Sequence, residues 1–416
     1  MSDSDDHAAD AVSIDDANTD TNGAETDDRT LPTNRIVTGD CFDVLQTLPD
    51  DSVHACVTDP PYGLAFMGES WDDFEPREYQ DFCRRWAEQV FRVLKPGGHL
   101  IAFSGNRTHH RMMVGVEDAG FEIRDTLTWH YKSGFPKAMD LSKAIDRRLN
   151  AYDDREVVES RDVNDMTGGN YGTTASTDRD EGQTQTYEYT IGATDEARQF
   201  EGWKTGLKPA TEFAVLAMKP ADTHVDAALE HGTGGLNIED NRIGDEVIDD
   251  PPTGVDGDVY GDTTAGEQTH VQREGRYPPN VAIGPGGDDL DVPDDYQNFV
   301  FCPKAHKTER TLNGRIENAH PTVKPGDLMT WLIRLVTHEN QVVIDPFTGS
   351  GTTCRAAKDL NRRFVGIERE PYFADVARVR AGLTPDDPSI VRDADDDQAG
   401  LAQFDVTNTD DKDTDI

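Results

Sequence analysis

The stretch that most constrains the fold lies near the C-terminal end, where QVVIDPF, GSGTT, CRAAKDLN, RRFVGIE and PYFADVARVRAG follow one another. An apolar run closed by an acid, a glycine loop, a helical pattern, a second apolar run closed by an acid and a final helix spell a βαβα unit. Two parallel strands joined through a helix need a covered sheet, so the chain is expected to build a doubly wound α/β fold. Gly349 and Gly351 let the backbone turn tightly and approach a ligand just beyond Asp345. Glu368, closing the second strand, stands where two hydroxyl-to-carboxylate bonds would grip a ribose diol. There is no GxGxxG, which favours a mononucleoside cofactor over a dinucleotide.

A second strand end carries different chemistry. VHACV runs into Thr58-Asp59-Pro60-Pro61-Tyr62. Proline has no N–H and restricts the residue before it, so the ladder stops in a stiff, extended lip. That lip offers a carboxylate (Asp59), a carbonyl (Pro60) and a flat ring (Tyr62), a mould for a planar heterocycle bearing an amino group. An X-Pro-Pro turn closing a strand is the plain alternative, and four residues alone do not decide between them.

Around these points the pattern predicts a strand at Arg35–Thr38, a helix at Phe42–Leu48, a strand at Val53–Thr58 and an amphipathic helix over Glu78–Leu94. Lys95-Pro96-Gly97-Gly98 reads as a helix stop and turn, followed by a buried strand at His99–Gly105, a further helix and the strand FEIRDTLTWHY. From Ser133 to Asn298 glycine, threonine and aspartate clusters suit an irregular insert. Within it LSKAIDRRL reads as a short helix and Glu212–Pro220 as a buried strand. His231 to Gly235 reads as a turn, since it lacks the ending of a phosphate loop.

Charge sets further bounds. The formal net charge is −41, from 81 acids against 40 bases. Residues 1–30 and 383–416 are Asp-rich and almost without large apolar side chains, and read as disordered tails. Without them 60 acids still face 37 bases, so the acidity extends over the folded part. Such a surface suits a medium of very high salt, where repulsion is screened within a few ångströms. Basic groups for phosphates are available at Arg107, His109, His110 and Arg111, and at Lys304, His306, Lys307, Arg310 and Arg315. No run matches a membrane span or a signal peptide, which places the chain in the cytoplasm. Five cysteines form no CxxC pair and read as reduced, isolated thiols, and no metal site is expected.

DPPYG at Asp59–Gly63, HPTVKP at His320–Pro325, DPFTGSGTT at Asp345–Thr353 and GIERE at Gly366–Glu370 together resemble the motifs of S-adenosylmethionine-dependent DNA amino-methyltransferases. Their order, with the catalytic lip first and the cofactor motif near the C-terminus, resembles the β-group arrangement. The resemblance implies a Rossmann-like, mostly parallel sheet of seven strands with one antiparallel, for which Glu212–Pro220 is the candidate. It implies a catalytic domain over 31–137, 201–220 and 299–382, and target recognition in 138–200 and 221–298. Asp59, Pro60, Pro61 and Tyr62 would be catalytic. Asp345, Phe347, Gly349 and Gly351 would hold the methionine end of S-adenosyl-L-methionine, Thr322 and Lys324 would close over it, and Glu368 would take the ribose.

Asp40 matches an acid near the cofactor adenine, although an Asx-turn cap accounts for it equally well. The implied substrate is double-stranded DNA, with the target base extruded and its exocyclic amine methylated. An aspartate before PPY favours adenine N6 and leaves cytosine N4 open. A cognate restriction nuclease and a second copy of the chain are candidate partners. Carbon-5 cytosine methylation would need a cysteine after a proline, and none is present. A protein-glutamine methyltransferase would show asparagine before PPY and the reverse motif order. A catalytically dead DNA-binding module is disfavoured by intact Asp59 and Asp345.

Overall fold

The computed structural model describes residues 29–64, 72–131, 138–163, 185–250, 271–284 and 300–392. In chain order the first half contains β1 (Arg35–Thr38), α1 (Cys41–Gln46), β2 (Val53–Thr58), α2 (Pro76–Val93), β3 (Leu94–Ser104), α3 (His109–Asp118) and β4 (Glu122–Tyr131). The insert follows with α4 (Leu141–Arg148), β5 (Glu156–Val163), β6 (Gln185–Ile191), α5 (Asp195–Gln199), β7 (Thr211–Met218), α6 (His224–His231), β8 (Ile243–Asp250), β9 (Val271–Arg276) and β10 (Val281–Gly284). The C-terminal part adds β11 (Val300–Phe301), α7 (Lys307–Thr311), α8 (Gly326–Val336), β12 (Val342–Asp345), α9 (Thr352–Asp359), β13 (Arg363–Glu368) and α10 (Pro371–Arg380).

One sheet of nine strands, in the order β1-β13-β12-β2-β3-β7-β4-β10-β11, organises the molecule. Its single antiparallel member is β7, paired antiparallel with both β3 and β4, as the sequence led one to expect. The expected seven strands are too few. Short β10 joins β4 in parallel and two-residue β11 joins β10, so part of the region read as insert returns to the sheet. Neither run is long enough to show a period of its own.

Alternation along the strands gives the sheet two apolar faces. Val57, Ile101 and Val343 pack with Leu332, Ala356 and Ala377 from α8, α9 and α10. Cys56, Leu100 and Ile344 pack with Leu45, Trp86 and Val116 from α1, α2 and α3. The helices have identifiable starts: α2 begins with Pro76 and a capping box between Glu75 and Glu78, and Pro325 precedes α8.

Lys95 to Gly98 corrects another expectation. Leu94 already pairs with Val53 and His99 with Ala55, so the turn bulges out within β3 instead of preceding it. The insert contributes two separate hairpins, β5-β6 and β8-β9. The former is tied to α4 and α5 through buried Asp146, which pairs with Arg155 at 2.5 Å and accepts from the backbone of Ala193 and Thr194. α6 ends on Gly232 in the left-handed conformation, matching the turn read there.

The expected acidic tails lie outside the described residues except at their inner ends. Residues 383–392 are not tail-like: Asp386 and Asp387 donate backbone N–H groups to Asp375, and Val391 bridges to Ile316. All five cysteines are free and buried. No described helix is long and apolar enough to cross a membrane.

Candidate active site

The carboxyl ends of β2, β12 and β13 lie side by side, because β12 pairs in parallel with both of the others. The sequence therefore brings two distant motifs together. The Thr58 hydroxyl, at the last residue of β2, donates to Asp345 Oδ1 at 2.6 Å across 287 residues of chain. Asp345 also accepts from the Phe347 N–H at 3.1 Å, and burial pushes its carboxyl up to about 6. Asp345 thus clasps the glycine loop to the lip from beneath.

The loop beyond Asp345 is shaped as a cradle. Gly349 has φ +53° and Gly351 φ +85°; a Cβ on Gly349 would lie 2.8 Å from the His320 ring, and one on Gly351 would lie 2.8 Å from Ala377. Neither position admits a side chain without rearrangement. Glu368 faces the loop, taking the Gly349 N–H at 2.8 Å on one oxygen and the Glu370 N–H at 2.9 Å on the other. Each oxygen keeps a lone pair for an incoming hydroxyl, so the residues present fit a ribose-bearing cofactor. Burial raises the Glu368 carboxyl above its ordinary range.

The other cofactor candidates are more dispersed. Phe347 turns its ring into the core against Phe82 and Trp86. Asp40 caps α1 through the Phe42 N–H at 2.9 Å, two residues past the pairing of Thr38 with Glu368. Thr322 is exposed.

The Lys324 ammonium lies in the lip, 2.5 Å from Asp59 Oδ2, 3.0 Å from the Tyr62 hydroxyl and 3.2 Å from Glu212 Oε2. The Tyr62 hydroxyl donates to Asp59 Oδ1 at 2.8 Å and also meets Glu212 at 3.1 Å. The side chains of Lys324, Asp59 and Glu212 are 8, 17 and 20 % exposed, so the cluster is dry on one side yet reachable. Burial opposes a charge on Lys324, but Asp59 and Glu212 hold its ammonium above the ordinary lysine range. Burial pushes Asp59 up, and Lys324 pulls against that rise.

The lip itself is braced by residues that pattern reading did not find. Buried Asp72 accepts the N–H groups of Gly63 at 2.6 Å and Leu64 at 3.1 Å, and the Tyr79 hydroxyl donates to the Pro61 carbonyl at 3.1 Å. Glu212, on β7, was visible only as the first residue of a buried strand. Among the basic groups offered for phosphates, several are used internally. His109 bonds Ser104 at 2.6 Å and stacks on Phe213, Arg111 donates to Gln80, Arg310 donates to the His320 carbonyl, and Lys304 sits 4.0 Å over the Tyr131 ring. His110, Arg107 and Lys307 remain at the surface. A concavity of about 590 Å³ bordered by Asn237, Arg334, His338 and Arg362 lies at the other end of β12 and β13, remote from this chemistry.

A glycine cradle with an acid at the next strand end, facing a carboxylate lip on the adjoining strand, is the arrangement of an α/β protein that handles a nucleoside cofactor. The profile of the N6/N4 DNA methylase family matches residues 53–379, and the chain belongs to that family, whose methyl donor is S-adenosylmethionine. The chain is similar to the Type II methyltransferase M.HindIII of Haemophilus influenzae, with 26 % identity over 84 % of this chain and 95 % of that one. Similarity to M.HpaI of Haemophilus parainfluenzae, at 29 % identity, covers 27 % of this chain and 36 % of that one. Among solved structures, the M1.HpyAVI complex with S-adenosylmethionine aligns over 84 % of this chain and 99 % of that one, at 19 % identity and a TM-score of 0.40. The cytosine-N4-specific PvuII DNA methyltransferase aligns over 83 % of this chain and 85 % of that one, at 16 % identity and a TM-score of 0.44.

Proposed function

We propose that the chain is a site-specific DNA methyltransferase that methylates the exocyclic amine of an extruded base, with adenine N6 as the target. The observation that carries this reading is the clasp between Thr58 and Asp345, which sets the amine-accepting lip directly beside the cofactor cradle. When bound, S-adenosylmethionine supplies a methyl group on a sulfonium centre, and the electron pair of the breaking C–S bond stays on sulfur. The chain's own residues then have three tasks. Asp59 and the Pro60 carbonyl accept the two amine hydrogens and turn the nitrogen lone pair toward the methyl. Tyr62 offers a ring for the extruded base while its hydroxyl fixes Asp59. After N–C bond formation the amine sheds a proton, for which Asp59 is the neighbouring acceptor and water the destination. Alignment and electrostatics supply the acceleration, and no nucleophilic side chain is needed.

Aspartate before PPY, the form that the family resemblance links more often to adenine, supports adenine over cytosine. We read residues 138–200 and 221–298 as target recognition, with exposed Tyr277 as a candidate for contact with DNA. A cognate restriction nuclease, by analogy with M.HindIII, and a high-salt cytoplasm complete the reading.

The test is to incubate unmethylated plasmid DNA with the protein and labelled S-adenosylmethionine at molar salt, digest to nucleosides and weigh them. N6-methyladenine is expected. Label on cytosine N4 alone would overturn the adenine assignment, and label on neither base would overturn DNA as the substrate.

A further inference from the structure

An amine entering the lip must find Asp59 free to accept, yet both Asp59 oxygens already carry a donor: the Tyr62 hydroxyl on Oδ1 and the Lys324 ammonium on Oδ2. The two donors differ in how easily they can leave. Tyr62 stands on the same proline-stiffened lip, three residues away, and packs against the core. Lys324 arrives on a flexible stem from the start of α8, with its ammonium 4.9 Å over the Phe103 ring and 5.4 Å over the Tyr62 ring. An ammonium offers three donors, and here it has three acceptors: Asp59, Tyr62 and Glu212. If it simply left Asp59 it would be a nearly buried charge with one neutral partner. Glu212 removes that obstacle. Held at the head of β7, opposite Trp129 on β4, it presents a second carboxylate within reach of the same nitrogen.

We propose that Lys324 and Glu212 are a positioning pair for base entry: the ammonium keeps, on Asp59, the place of the target amine and shifts onto Glu212 when that amine arrives. The pair rests on the reading of Asp59 as amine acceptor. Neither residue touches the transferred methyl, and a lysine held charged takes no proton from the product. What the pair controls is entry, through the exchange of one donor on Asp59 for another. While it stays near, the ammonium also favours the ionised form of Asp59, opposing burial and Glu212, which push its carboxyl up.

The experiment uses the full chain, unmethylated plasmid DNA and S-adenosylmethionine, and compares Glu212→Gln, Lys324→Met and the double variant. Glu212→Gln should raise the KM for DNA about tenfold, because the ammonium no longer has a charged place to move to. Affinity for S-adenosylmethionine should be unchanged. In the Lys324→Met background the same Glu212→Gln change should cost nothing, since no ammonium is left to receive. Lys324→Met alone should move the acid limb of the kcat profile to higher pH, as Asp59 loses its counter-charge. An equal Glu212→Gln penalty in both backgrounds, or none in either, would overturn the proposal. Should Glu212→Gln fail to bind cofactor and so fail to fold, the Lys324→Met profile decides alone, and an unmoved acid limb would overturn it. Transfer that survives Asp59→Ala would instead remove the underlying reading of the lip.

Discussion

Tyr62 illustrates how far a single residue could be read from the chain. Its place after Asp59-Pro60-Pro61 announced a ring for the base, and on that reading Tyr62→Phe is a mild change. The structure adds a hydroxyl that donates to Asp59 and meets Glu212 and Lys324, so the phenol also fixes the acceptor. Tyr62→Phe is therefore expected to lower kcat about tenfold, for loss of one hydrogen bond to a charged group. Tyr62→Ala should lose a further 1–3 kcal/mol, roughly, of base stacking. Steady-state rates on plasmid DNA check both, and a Phe variant as active as the parent would show the hydroxyl to be idle. Asp345 makes a pH prediction. An acid raised in the fold to about 6 from an ordinary value of 3.8 favours the native state while protonated. That contribution is complete below about pH 4 and is lost as pH rises through 6. Thermal unfolding of Asp345→Asn beside the parent should show a difference that moves in the variant's favour between pH 4 and 6 and then levels off. A difference independent of pH would contradict the raised value.

At the scale of elements, what the sequence made legible were strands that end in chemistry. β2, β12 and β13 each combine an apolar run with a stop of proline, glycine or acid, and all three were found, with Asp59, Asp345 and Glu368 at their ends. Contacts without a local signature were not. Glu212 meets Tyr62 across 150 residues, and Asp72 reaches the lip from outside any periodic segment. The β5-β6 hairpin escaped because EVVESRDV and QTYEYTI carry polar residues throughout, and Val157, Val158, Tyr189 and Ile191 are exposed. Its stability comes instead from a polar hub. Arg155 donates to Asp146, Ser142, Thr190 and Glu201, and its side chain is almost wholly buried. Removing one partner of such a pair leaves an uncompensated charge, at a cost of about 3–5 kcal/mol. Arg155→Ala should accordingly weaken protection from proteolysis around β5-β6 and reduce DNA binding, while affinity for S-adenosylmethionine stays intact. Loss of cofactor binding in that variant would show that the hub supports the catalytic sheet rather than the insert.

The whole molecule is governed by its charge. At −41, with acids in excess beyond the terminal segments, repulsion among surface carboxylates opposes compaction. Screening reaches about 10 Å at 0.1 M salt and about 3 Å at 1 M. The unfolding temperature should therefore climb steeply between 0.1 and about 2 M potassium chloride, as differential scanning fluorimetry would read, and a flat response would reject the high-salt interpretation. Phosphate contacts weaken over the same range, so recognition should lean on base and shape readout.

The claim on which all scales converge is that the lip accepts the amine while the neighbouring loop independently holds the cofactor. Single-turnover methylation of plasmid DNA by Asp59→Ala, with the affinity of the same preparation for S-adenosylmethionine measured by calorimetry, tests it most directly. The account predicts parental cofactor affinity and transfer reduced by at least about a thousandfold, as expected when the group that orients the reacting nitrogen is removed. Transfer at the parental rate with cofactor bound would contradict it.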